Sequence, residues 1–279
     1  MSGGALVVGA GAVGEGAALA LRAAGWRVRA TSRNPQAERP RLKQAGVDLA
    51  TFDLTTDNIA PLIADMDAVV LTPPLSLSIG AAPALAGKRV IAFSSNNVAL
   101  DAQSPVYRAL AAAEEELRGR IPTSVILRPT LIYGDPRLAT LPSVMRWAKR
   151  RAVLPVPGSG RALQQPVFHE DLGRIAAALA QSDAHAGATF ALGGPDVLSM
   201  RALFERAASA VGARPLIVPA PAWALRLGAS LMGARFPLDA AQIARVEQDR
   251  VAVAQTPLPD ELRPQTTLRD GLARLAAAL

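Results

Sequence analysis

The sequence predicts an α/β chain: a doubly wound parallel sheet with helices on both faces, and a smaller, mainly helical C-terminal substrate lobe. Three observations carry this. Through the first 130 residues, short branched apolar runs alternate with Ala/Leu-rich stretches, the pattern of a parallel sheet buried on both sides. The first apolar run feeds directly into a glycine turn that opens a helix. After residue 135 prolines at 136, 142, 155, 157 and 166 interrupt the chain, and beyond Gly194 it becomes mainly helical.

Ala5-Leu6-Val7-Val8 is the first strand, and Gly9-Ala10-Gly11-Ala12-Val13-Gly14 follows it without a gap. A helix over Val13–Ala24 stops at Gly25, and a second strand, Trp26–Ala30, leads to Thr31-Ser32-Arg33. Strand, glycine turn, helix and strand in that order make a Rossmann-type dinucleotide core, expected over 1–135. Further strands are predicted at Asp48–Phe52, Ala68–Thr72, Arg89–Phe93 and Ser124–Leu127, with helices at Arg39–Ala45 and Val106–Arg118. Residues 136–187 read as a crossover segment contributing to the cleft and returning to the core. It holds a helix at Leu141–Arg150, a loop with short extended pieces over 152–168, and a helix at Glu170–Ala180. Residues 188–198 supply the last core strand, Ala188–Leu192. The lobe over 199–279 carries helices at Met200–Val211, Ala222–Leu231 and Asp239–Asp249, with Ser199 as an N-cap.

Each glycine of the turn has its own task. Gly9 permits the tight turn, Gly11 lets the backbone approach a pyrophosphate, and Gly14 lets the helix press on the sheet. The free amides at the helix start, Ala12 and Val13 among them, then face the phosphates. The second strand ends in Thr31-Ser32-Arg33-Asn34-Pro35, with no carboxylate before Glu38. Arg33 offers a guanidinium fork and Ser32 a hydroxyl to a ribose 2′-phosphate, so NADP(H) is expected over NAD(H). Ligands in such folds sit beyond the strands' C-terminal ends. The residues there are Asp53-Leu54, in reach of an adenine; Thr72-Pro73-Pro74, near the nicotinamide ribose; Ser94-Ser95-Asn96-Asn97; and Arg128-Pro129.

Composition limits the other possibilities. The chain has no cysteine, which removes disulfides, thiolate nucleophiles and thiolate metal sites. Its two histidines, His169 and His185, lack metal-ligand spacing, so no metal site is expected. The net charge of +7 comes almost wholly from dispersed arginines and forms no dense stripe, which argues against nucleic acid as a partner. No apolar run reaches 18 residues and the first strand begins at once, so a cytoplasmic protein without a transmembrane segment or signal peptide is expected. The segment Trp223–Met232 would suit a peripheral membrane contact, but packing over the lobe is the favoured expectation. Within Glu114-Glu115-Glu116 successive side chains point in different directions, so part of the run is expected in solvent.

The glycine turn taken together with Phe93-Ser94-Ser95, Ser104-Pro105-Val106-Tyr107, Glu114-Glu115-Glu116-Leu117, Leu127-Arg128-Pro129-Thr130-Leu131-Ile132-Tyr133-Gly134 and Gln165-Pro166-Val167-Phe168-His169-Glu170-Asp171 resembles the extended and atypical short-chain dehydrogenase/reductase superfamily. Within it, Leu192-Gly193-Gly194-Pro195 and Val218-Pro219-Ala220-Pro221-Ala222-Trp223 are similar to the branch holding the NAD(P)H-binding accessory subunit of respiratory complex I and its bacterial relatives. Nucleotide-sugar epimerases and dehydratases are similar too. The resemblance implies Ser95 and Tyr107 as the catalytic serine and tyrosine. Where it calls for a lysine four residues after the tyrosine, the chain has Ala111.

That lysine lowers the tyrosine's pKa so that it exchanges a proton with a substrate oxygen while hydride moves. Without it the tyrosine is a weak base at neutral pH. The main expectation is therefore a cofactor-binding scaffold or sensor with weak or no Tyr–Lys chemistry. The alternatives are an NADPH-dependent oxidoreductase acting on a quinone-like acceptor, or a sugar-nucleotide epimerase- or dehydratase-like enzyme. His169 and Asp171 are read as structural, the second anchoring a helix start. Tyr133 either packs the cleft wall or closes over the nicotinamide.

Overall fold

Branched residues concentrate where the backbone is extended, and a computed structural model, which describes residues 3–34, 39–233, 248–254 and 256–279, shows where those runs pair. The strands are β1 (Gly4–Val8), β2 (Arg27–Ser32), β3 (Asp48–Thr51), β4 (Ala68–Leu71), β5 (Arg89–Phe93), β6 (Val125–Pro129), β7 (Ile132–Tyr133), β8 (Val153–Pro157), β9 (Leu163–Gln164), β10 (Val167–Phe168), β11 (Thr189–Leu192), β12 (Leu198–Ser199) and β13 (Leu216–Ala220). The helices are α1 (Ala12–Ala23), α2 (Pro40–Gln44), α3 (Ala60–Ile63), α4 (Leu75–Ser78), α5 (Asn97–Leu100), α6 (Pro105–Arg120), α7 (Thr140–Ala148), α8 (His169–Ala180), α9 (Met200–Ala210), α10 (Ala222–Met232) and α11 (Leu268–Ala277).

The main sheet runs β11-β6-β5-β4-β1-β2-β3, and all its pairings are parallel. Alternation along the strands separates two buried faces. Leu6, Val8, Val69, Leu71, Val90, Ala92 and Ile126 pack against Tyr107, Leu110, Ala113 and Leu117 of α6. On the other face α1 lies against α8, where a Cβ on Gly173 would fall 2.6 Å from the Ala17 nitrogen, so only glycine permits this approach. The strand order reverses between β1 and β4. This is the switch point at which such sheets open a crevice beyond their carboxyl ends.

Chain contacts divide the molecule into two units. The first comprises Met1–Thr130, His169–Leu192 and Ala252–Pro264; the second comprises Leu131–Phe168, Gly193–Val251 and Gln265–Leu279. The lobe is thus built from three stretches instead of the continuous 199–279 that composition suggests, and the segment 136–187 is shared between the units at His169. The expected loop over 152–168 carries β8, β9 and β10, because β8 pairs in parallel with β13, Val153 opposite Leu216. The second unit's core is formed by Tyr133, Leu154, Phe168, Leu203, Phe204 and Leu272. Ser199 Oγ accepts from the Ala202 amide at 3.2 Å, a cap worth about 1 kcal/mol. The helix expected at Asp239–Asp249 lies over 239–247 outside the described residues.

Candidate active site

The crevice at the ends of β1 and β4 has a volume of about 460 Å³. Gly9, at φ +88, turns the chain out of β1, and the Thr72 hydroxyl spans the Val8 and Gly9 carbonyls, each at 2.8 Å, fixing the turn to the end of β4. A Cβ on Gly14 would meet the Gly9 oxygen at 2.0 Å, whereas one on Gly11 would meet nothing within 4 Å. Gly14 is glycine for packing, and Gly11 leaves an open approach on the crevice wall. Gly11 is also the N-cap of α1 and has no side chain to cap it. The first-turn amides of Ala12, Val13 and Gly14 therefore face outward without intrahelical acceptors. These features fit a dinucleotide pyrophosphate.

Of the residues singled out from sequence, Gly9, Gly11, Ser32, Arg33, Asp53, Leu54, Thr72, Pro73 and Pro74 line this crevice. Sequence reasoning missed Arg39 and Thr55, which also line it. Arg39 Nε donates to the Ala10 carbonyl at 2.9 Å, bringing a guanidinium to the glycine turn; no motif marks it in the sequence. Thr55 donates to Asp53 Oδ1 through both its amide, at 2.9 Å, and its hydroxyl, at 2.6 Å. These two bonds, led by the hydroxyl and aided by the charge of Arg33, hold the Asp53 carboxyl below the usual carboxylate range.

Ser94 and Arg128 have other work. Arg128 Nε and Nη2 fork onto the two carboxylate oxygens of Glu114 at 2.9 and 2.5 Å, the Ser94 hydroxyl donates to the same carboxylate at 2.5 Å, and Arg118 reaches it at 3.2 Å. Glu114 is fully buried, so the expectation of a partly solvated acidic run holds for Glu115 and Glu116 only. A carboxylate taken out of water needs this many donors. The network ties α6 to the ends of β5 and β6 beneath the site. Pro129 closes β6, and its carbonyl accepts from the Asn96 amide at 3.0 Å.

Ser95 follows β5, with its Oγ accepting from the Asn97 amide at 3.2 Å. Tyr107 is buried near the start of α6, and its hydroxyl accepts from Asn97 Nδ2 at 2.8 Å. Ala111 stands one turn further along the same helix, half-buried. Asn97 was visible in the sequence only as part of a polar turn.

His169 is structural: its Nδ1 lies 3.1 Å from the Ala12 carbonyl, which requires the proton on that nitrogen. Asp171 sits in the first turn of α8, 3.8 Å from Arg174. Tyr133 packs edge-to-face on Phe168 in the second unit's core and donates to the Thr267 carbonyl at 3.2 Å. It is a core residue of its own unit. Among the described residues there is no group of side chains able to hold a metal ion, and no helix long and apolar enough to cross a membrane.

No protein-family model matches the chain. A curated relative, the mitochondrial NADH dehydrogenase [ubiquinone] 1 alpha subcomplex subunit 9 of Arabidopsis thaliana, is 31% identical over 178 residues, 62% of this chain and 44% of the relative. The match thus spans less than half of that protein's length. Among solved structures, MoeE5 in complex with UDP-glucose and NAD superposes with a TM-score of 0.74 at 20% identity, over 99% of this chain and 98% of that one. The UDP-glucose 4-epimerase of Thermus thermophilus, complexed with NAD, gives 0.70 at 18% identity over 98% of both chains. The UDP-glucose-4-epimerase of Stenotrophomonas maltophila, with NAD and a formylated UDP-arabinopyranose, gives 0.72 at 16% identity over 99% and 98%.

The cofactor in these neighbours is NAD, which overturns the expectation of NADP(H). The local geometry has a physical reason to agree. Asp53 lines the same crevice as Arg33, whose charge adds a small lowering to the Asp53 pKa, and the Ser32 hydroxyl is engaged by Asn34, donating to its carbonyl at 3.2 Å and accepting from its amide at 3.3 Å. The Ser32 hydroxyl is thus occupied, and a carboxylate on the crevice wall disfavours a further phosphate beside it.

Proposed function

From a chain with the Rossmann fold of the short-chain dehydrogenase/reductase and epimerase superfamily, related to the mitochondrial subunit-9 proteins, we propose an NAD(H)-binding protein that carries out redox chemistry on a sugar nucleotide. The observation that carries this is the glycine cradle at the switch point, in a fold shared almost end to end with proteins solved with NAD, two of them with a UDP-sugar as well. The amides of Ala12 and Val13 would hold the pyrophosphate, Arg39 would add a positive charge beside it, and Asp53 would serve the adenosine end. When bound, NAD(H) supplies the hydride donor or acceptor.

The chain's own residues would handle the substrate oxygen. The Ser95 hydroxyl donates to it and sets its position, while the Tyr107 hydroxyl exchanges the proton that accompanies oxidation or reduction. Asn97, already donating to Tyr107, stabilises the phenolate form with a dipole in place of a full charge. Such a site works slowly. Titration of the purified protein with NADH and NADPH, followed by incubation with NAD and UDP-glucose or UDP-glucuronate, tests the reading through cofactor absorbance and product chromatography. No affinity for NAD(H) would sink it.

A second reading, a bound cofactor that does not turn over, is favoured by Ala111, because no ammonium stands one turn beyond Tyr107. Tight NADH binding with no turnover of any UDP-sugar would select it.

A further inference from the structure

The segment expected to pack over the lobe does so only through its inner edge. Leu225 is buried, while Trp223 is 68% exposed, Leu227 53% and Leu231 78%. At 100° per residue these three, with Arg226 and Ser230, occupy one outward arc of α10. Beside it, β8 and β13 show a second apolar outer face: Val153 and Leu216 are register partners, and both are exposed, as is Val218. Single exposed apolar side chains are ordinary, but a helix stripe and a strand pair on the outside of one core are not.

Charge selects the occupant. Residues 136–169 and 206–232, which supply α7, β8, β13 and α10, contain no aspartate or glutamate. Lys149, Arg150, Arg214 and Arg226 form no ion pair among the described residues, and all four are exposed. We propose that this face of the second unit docks on an anionic lipid bilayer. Trp223 and Leu231 enter the interfacial region, and the guanidinium groups of Arg214 and Arg226 meet lipid phosphates. A second copy of the chain is disfavoured, because a two-fold contact would set these cations against their own images.

Flotation of the full chain with phosphatidylglycerol-containing vesicles, and with pure phosphatidylcholine vesicles, tests this at low and high salt. Binding is expected to the anionic vesicles only and to weaken with salt, and lipids brominated near the headgroup should quench the tryptophan emission. Trp223→Ser with Leu227→Ser should lower vesicle affinity at least about ten-fold, and Arg214→Gln or Arg226→Gln about five-fold each. Circular dichroism and the thermal midpoint check that each variant folds. If the double variant does not fold, Trp223→Phe decides, because it removes the exposed one of the three tryptophans with little change in shape and should lower the quenching, leaving only what Trp26 and Trp147 contribute. Absence of flotation with anionic vesicles, equal binding to phosphatidylcholine, or quenching that Trp223→Phe does not reduce would overturn the proposal. So would self-association or capture of an acidic protein that depends on these residues while vesicles are ignored.

Discussion

The side-chain amide of Asn97 donates to the phenolic oxygen of Tyr107 across 2.8 Å, a neutral donor at that oxygen. The first residue of α5 thus supplies a hydrogen bond, and one turn beyond Tyr107 helix α6 carries the methyl of Ala111.

Ala111→Lys should restore the missing charge, since residues four apart share a helix face. NAD-linked turnover of a UDP-sugar is expected to rise about 100-fold, within the range of general acid–base catalysis. Adding Tyr107→Phe should remove the gain. Cofactor absorbance in steady state checks both.

Two glycines of the turn should separate fold from binding. Gly14→Ala places a Cβ 2.0 Å from the Gly9 oxygen, so the turn must shift; a loss of about 1–3 kcal/mol of stability and more than ten-fold in NADH affinity is expected. Gly11→Ala meets open space and should leave the thermal midpoint nearly unchanged, while its methyl stands between backbone and pyrophosphate and weakens NADH binding. Calorimetric titration beside thermal denaturation distinguishes them.

Glu114→Gln leaves Arg128 buried without its counter-charge. Breaking one side of a buried pair costs about 3–5 kcal/mol, and urea denaturation should show a loss of that order. Converting the Glu114–Arg128 pair to Leu and Met together should recover part of it.

What the sequence made legible is local. The run Ala5–Val8 with its glycine turn, and the alternation through Leu127, place the sheet and its crevice because each strand and helix declares itself within a few residues. Glu114 was not legible: a run of three glutamates looks solvated until Arg128, fourteen residues away on β6, folds beneath it. Nor was the pairing of Val153 with Leu216, which converts a proline-rich loop into a strand. Arg33 misled for the same reason. Its preference for a phosphate is read from its own loop, and Asp53, a carboxylate that lines the same crevice, follows another strand.

Asp53 gives a pH dependence. The Thr55 hydroxyl and amide depress its folded pKa, so the resulting stability is present above the ordinary carboxylate value of about 4 and fades as pH falls through the lower folded value. The thermal midpoints of the parent protein and Thr55→Ala should differ near neutral pH and converge in acid. Asp53→Asn, which removes the carboxylate charge from the crevice wall, should raise affinity for NADPH relative to NADH in a fluorescence titration.

Each unit draws on three separated stretches of chain, so neither can be obtained by cutting the gene once. During synthesis β11 leaves the ribosome some sixty residues before Ala252–Pro264, which belongs to the same unit, and the other unit waits for the final helix. The unit that holds the crevice at the ends of β1 and β4 therefore takes its last stretch after most of the other unit has been made, and a product cut before Ala252 lacks part of both.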